Sequence, residues 1–196
     1  MSEHPRFRGD EREGEIFFRG LTGDHLSVPA SLAALEQEAK KALKPQAWDY
    51  VAGGAGGEAT IRANRDAFDR WRLVPRMLRD VSRRTLDTDL LGTKLPAPVL
   101  LAPVGVQGIV HAEGEVATAR AAAALGVPMV LSTASSKSME EVAKALGAGI
   151  GWFQLYWSKD PELTASFLRR AEAAGFKALV VTLDVPMLGW RERDLQ

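Results

Sequence analysis

Two hydrophobic rhythms divide the chain. Ser31 opens a helical pattern in which Leu32, Leu35, Ala39 and Leu43 share one face while Glu36, Glu38, Lys40 and Lys41 occupy the other, and Pro45 closes it. Gln46 to Ala52 reads as a second helix running into Gly53-Gly54-Ala55-Gly56-Gly57, and Glu58 to about Arg70 as a third. The first 28 or so residues carry no such period and read as irregular. Between Arg76 and Leu95, short apolar pieces broken by Asp89 and by Leu91-Gly92-Thr93 predict a small hairpin.

From Pro96 onward the apolar residues come as short unbroken runs, the mark of strands buried on both faces. The runs are Val99–Ala102, Pro128–Leu131, Gly151–Leu155 and Ala178–Leu183. Helical stretches lie between them. One runs from Glu115 to Leu125 and ends at Gly126. A second is capped by Ser138, with Glu141 completing a capping box, and stops near Gly147. A third runs from Pro161 to Gly175, with Pro just inside its start and Gly just past its end. The alternation predicts an α/β fold with a parallel sheet and helical crossovers, and it splits the chain into an extension, 1–95, and a regular part, 96–196. Doubly wound sheets and (β/α) barrels both begin this way. The glycine cluster at 53–57 does not favour the doubly wound choice, because it follows a helix and lacks the G-x-G-x-x-G spacing.

Composition removes several function classes. The 25 Lys+Arg balance 25 Asp+Glu, so no basic excess points to nucleic acid. The absence of cysteine excludes disulfides and thiolate chemistry. No signal-peptide pattern opens the chain and no 18-residue apolar run occurs, so a soluble cytoplasmic protein without a membrane partner is expected. His4 and His25 sit in polar sequence and read as exposed. His111 precedes a helix start and reads as structural, and the tryptophans, Trp190 apart, read as packing residues.

The chemistry gathers at the carboxyl ends of the strands. Ala102-Pro103-Val104-Gly105, Ser132-Thr133, Gln154-x-Tyr156 and Thr182-x-Asp184 follow the four runs in turn. That is the face on which (β/α) barrel enzymes build their sites. Small residues and hydroxyls there would let a flat polar ring lie against the backbone, whereas any one of them alone is an ordinary turn or cap.

These residues also carry a resemblance. Tyr50-Val51-Ala52-Gly53-Gly54-Ala55, Arg62-Ala63-Asn64-Arg65, Leu100-Leu101-Ala102-Pro103, Phe153-Gln154-Leu155-Tyr156, Thr182-Leu183-Asp184 and Leu188-Gly189-Trp190-Arg191 resemble the N-terminal half of the FMN-dependent α-hydroxy-acid oxidase family. Gly14-Glu15-Ile16 and Gly189 to Leu195 look most like its lactate 2-monooxygenase branch. The resemblance implies a (β/α)8 TIM barrel, of which this chain would hold a helical segment and the first four β/α units. It implies FMN as cofactor, a small 2-hydroxy acid as substrate and a homo-oligomer, tetrameric in the intact enzyme.

Residue by residue, the resemblance implies that the backbone of Pro103, Val104 and Gly105 faces the flavin, with Gly105 beside its N5 edge. Ser132, Gln154 and Thr182 would hydrogen-bond the isoalloxazine. Tyr50 would bind the substrate carboxylate and Tyr156 its hydroxyl end. Asp184 would orient the base histidine, and Arg191 would lie near the substrate mouth. Ala134 stands where some members have tryptophan, and Gly105 where several have alanine, a change expected to leave more room beside N5. The family's base histidine, a substrate arginine and a flavin lysine come from the second half of the barrel. A whole barrel takes about 250 residues, so the 196-residue chain by itself is expected to lack turnover. A half-barrel that only self-associates or binds a partner is the alternative.

Overall fold

The computed structural model describes residues 9–24, 26, 28–185 and 187–196. The expectations for His4 and His25 lie outside the described residues. The chain forms two compact units, one of residues 1–54 with 193–196 and one of residues 55–192.

The first unit is helical. α1 (Gly9–Leu21), α2 (Leu32–Ala42) and α3 (Pro45–Ala52) follow one another. α1 falls where the sequence reads as irregular. Its support is local: Glu15 pairs with Arg12 at 2.6 Å and Arg19 at 3.6 Å, one helical turn away on either side. Phe17, Phe18 and Leu21 lie on one side of the helix and are exposed, so this short apolar face is not part of the core. α2 begins as expected, with the Ser31 hydroxyl accepting from the Ala34 N–H. Pro45 starts α3 at its first turn.

The second unit opens with α4 (Ala59–Phe68) and the hairpin of β1 (Thr88–Leu90) and β2 (Thr93–Leu95), paired antiparallel. Leu91 and Gly92 between them both have positive φ, 52° and 74°, the combination a two-residue hairpin turn demands. Then come α5 (Glu115–Leu125), β3 (Met129–Leu131), α6 (Met139–Leu146), β4 (Gly151–Tyr156), α7 (Pro161–Ala173) and β5 (Leu179–Thr182). The strands form one parallel sheet in the order β3-β4-β5, with Met129 beside Gly151 and Phe153 beside Leu179. The expected capping box on α6 is present, and Gly126 ends α5 in the left-handed conformation.

The first expected strand is shorter than the pattern implies. Of Val99–Ala102, only Leu101 bridges β3: its N–H donates to Pro128 O at 2.9 Å and its carbonyl accepts from Val130 N–H at 3.0 Å. Pro103 cannot donate to Val130 O and Pro128 cannot donate to Val99 O, so the ladder stops on both sides of Leu101.

The alternation of side chains sorts the sheet into two faces. Met129, Leu131, Phe153 and Leu155 pack with Ala119 and Ala122 of α5, Met139, Val142 and Leu146 of α6, and Ala171 of α7 to form the core. The intervening positions, Val130, Ser132, Trp152, Gln154, Tyr156, Val180 and Thr182, belong to the opposite face. Trp152 is the expected packing tryptophan, although its indole N–H is buried without a partner. Trp71 and Trp157 are exposed, contrary to the packing expectation, because they lie in irregular segments away from that core, and Trp190, outside that expectation, is exposed as well. Among the described residues no helix is long and apolar enough to cross a membrane.

Candidate functional site

The face opposite the helices carries its polar groups at the carboxyl ends of the strands. Gln154, near the end of β4, is only 1% exposed. Its side-chain oxygen accepts from the Ser132 hydroxyl (3.3 Å) and the Thr133 N–H (3.1 Å). Its Nε2 donates to Thr182 Oγ1 at 2.9 Å, using one of its two amide hydrogens. Three sequence-predicted residues, Ser132, Gln154 and Thr182, are therefore joined across all three strands. A buried amide held on both sides has a fixed orientation, which a ring-binding residue needs.

Thr133 belongs to the strand-end set of the sequence, and the structure shows what it does there. Its hydroxyl donates to Gln154 O at 2.6 Å and accepts from the Tyr156 N–H at 3.1 Å, clamping the ends of β3 and β4 together. Ser132 Oγ also accepts from the Ala134 N–H, so this hydroxyl braces the loop as well as the amide.

Gly105 lies against this loop. A Cβ at Gly105 would fall 3.0 Å from Ala134 Cβ, 3.3 Å from Ala134 O and 3.6 Å from Ser132 Oγ. The space that glycine leaves thus faces Ala134, between the two loops. That gives close loop packing as the local reason for glycine here. Val106 follows at φ 44° and donates its N–H to Ala134 O at 2.9 Å.

Behind both loops sits Glu115, fully buried at the start of α5. Oε1 accepts from the N–H groups of Gln107 and Ser136, both at 3.0 Å, and Oε2 from the Ser136 hydroxyl at 2.6 Å. Burial pushes this carboxyl up, but the Ser136 hydroxyl and the surrounding N–H groups outweigh it and hold its pKa below the ordinary carboxylate range. Nothing in the pattern singled Glu115 out, since a glutamate in a first helical turn is commonly a solvated residue favoured by the helix dipole.

The remaining predicted residues are more open. Tyr156 ends β4 opposite Thr182 and is 41% exposed. Asp184 is exposed two residues beyond β5, and Arg191 is half-buried. Pro103 and Val104 are exposed, and Val104 O accepts from Gln107 Nε2. Tyr50 belongs to α3 in the other compact unit and is 43% exposed. His111 behaves structurally: its Nδ1 accepts from the Glu113 N–H. No group of three potential metal ligands occurs among the described residues.

Comparison with known proteins bears on this arrangement. The profile of the FMN-dependent dehydrogenase family matches residues 39–196. An L-lactate oxidase of Lysinibacillus sphaericus is 43% identical over 94% of this chain and 47% of its own length. A peroxisomal (S)-2-hydroxy-acid oxidase of Oryza sativa subsp. indica is 46% identical over 87% of this chain and 46% of its own. The structure of a mandelate oxidase variant with the C4a-OH-FMN adduct superposes with a TM-score of 0.79 at 44% identity, covering 83% of this chain and 49% of that one. The chain spans about half the length of the relatives it matches.

Proposed function

Because the chain belongs to the FMN-dependent dehydrogenase family, we propose that it supplies the flavin-facing wall of an enzyme that oxidises a small 2-hydroxy acid. The observation that carries this reading is the Ser132–Gln154–Thr182 row, a buried, pre-oriented set of polar groups at the carboxyl ends of parallel strands. Bound FMN would supply the two-electron acceptor. The donor set fits its ring: the second Gln154 N–H and the Thr182 hydroxyl hydrogen would donate to ring acceptors, and the Pro103–Gly105 backbone would lie along its flat face. The four-unit count of a (β/α)8 barrel rests on reading the Leu101 bridge as the first barrel strand.

For the substrate, Tyr50 is proposed to hold the carboxylate, Tyr156 to meet the hydroxyl, and Arg191 to lie near the entrance. Asp184 is proposed to orient a histidine base and to stabilise it once protonated. The resemblance places the base histidine in the second half of the barrel, so the 196 residues by themselves are proposed to bind flavin without turning over substrate. The tetramer and the lactate 2-monooxygenase branch rest on the sequence resemblance.

The test is a titration of the purified chain with FMN, followed by flavin fluorescence, in wild type and in Gln154→Leu and Thr182→Val variants. Saturable binding weakened at least tenfold in either variant supports the reading, and equal affinity in all three contradicts it.

A further inference from the structure

Glu115 is a buried carboxylate whose donors are all neutral, and its bonds reach two separate loops. The Ser136 hydroxyl that donates to Glu115 accepts in turn from the Gly108 N–H at 2.9 Å. This junction leaves no room for side chains. A Cβ at Gly108 would come 2.9 Å from Ser136 Oγ, and one at Gly114, itself at φ 49°, would come 3.0 Å from the same atom and 3.2 Å from Gly108 N. Gln107 is held further by the Thr118 hydroxyl, which donates to its Oε1 at 2.6 Å. Two residues earlier the same segment presents Gly105 to Ala134, with Val106 in the left-handed region that only surrounding constraints maintain in a β-branched residue.

Building on the flavin reading above, we propose that Glu115 is a positioning residue for the flavin seat. Its carboxylate ties the 103–109 loop to the 132–138 loop and so sets how far the Gly105 backbone stands from Ser132 and Gln154. It touches no reacting atom. A carboxylate suits the task because it can accept three donors at once, whereas any neutral replacement leaves at least one buried donor badly matched.

Amide hydrogen exchange on the flavin-free chain and FMN titration, applied to wild type, Glu115→Gln, Glu115→Ala and Ser136→Ala, test this. Exchange at the amides of residues 105–108 and 134–136 is expected to quicken about tenfold or more in the Glu115 variants, with β3, β4 and β5 still protected. The FMN dissociation constant should rise about tenfold, with the bound flavin's visible band losing fine structure. Ser136→Ala should show a smaller version of both, and it keeps the test available if Glu115→Ala does not fold. Unchanged exchange at both loops overturns the proposal. So does protection lost equally across the sheet, which would make Glu115 a general core group, and so do loosened loops with unchanged flavin affinity. A wild-type chain that binds no FMN would defeat the flavin reading itself, and the exchange data would still decide whether Glu115 ties the loops.

Discussion

Buried beside Ser132 and Thr182, the Gln154 side chain has no water to replace a lost partner. Gln154→Leu leaves the Thr133 N–H and the two hydroxyls to find new partners, and it should lower unfolding stability by about 2–3 kcal/mol, read as a fall in the urea midpoint. Gly151 presents a packing counterpart. A Cβ there would meet Leu146 Cδ2 at 2.7 Å and the Phe176 ring at 3.0 Å, so Gly151→Ala should cost about 1–3 kcal/mol in the same measurement. At this scale the sequence is readable where chemistry interrupts a pattern. Gln154 stands out as a polar residue within an apolar run, and Thr182 as a hydroxyl at the end of one. Glu115 does not, because its burial depends on two loops that arrive from residues 107 and 136.

Elements announced by caps and punctuation match their expected bounds closely. Ser138 with Glu141, Asp160 with Pro161, and Gly126 each act through backbone bonds within one turn, so local sequence suffices. α1 and the first strand were misjudged for opposite reasons. α1 leaves its Phe17–Phe18–Leu21 side exposed and is braced by local ion pairs, while Val99–Ala102 has the composition of a strand but prolines that limit its ladder. The hairpin turn offers a gain. Leu91, exposed and at φ 52°, occupies a position that favours asparagine, so Leu91→Asn should raise stability by about 0.5–1 kcal/mol, measured by thermal or urea unfolding. Between α6 and α7, Arg170 grips both oxygens of Glu140 at 2.8 and 2.9 Å, and its hydrogen bonds bring the Glu140 pKa down to about 2. A lowered carboxylate pKa contributes stability above the unfolded value, near 4.5, and loses it as pH falls towards 2. Glu140→Gln should therefore be slightly less stable than wild type at pH 7, and the two should converge over that window. The pair is exposed, so the difference should be small and should shrink further in high salt.

At the scale of the whole molecule, the parallel sheet is covered by helices on its Met129–Phe153–Leu155 face, whereas Leu179 and Val181 of β5 remain exposed on that side. Parallel strands are ordinarily buried on both faces. The alternation of strands and helices made the sheet legible in the sequence. The grouping of residues 193–196 with the helices of 1–54 was not, since it depends on contacts far apart along the chain. The central proposal is that the strand ends form a flavin seat separable from turnover. The most direct measurement is the visible spectrum of the purified chain loaded with FMN, freed of unbound flavin and then mixed anaerobically with L-lactate. Retained flavin bands that lactate does not bleach are the expected result. A chain that comes through colourless would contradict the seat, and bleaching would contradict its separation from turnover.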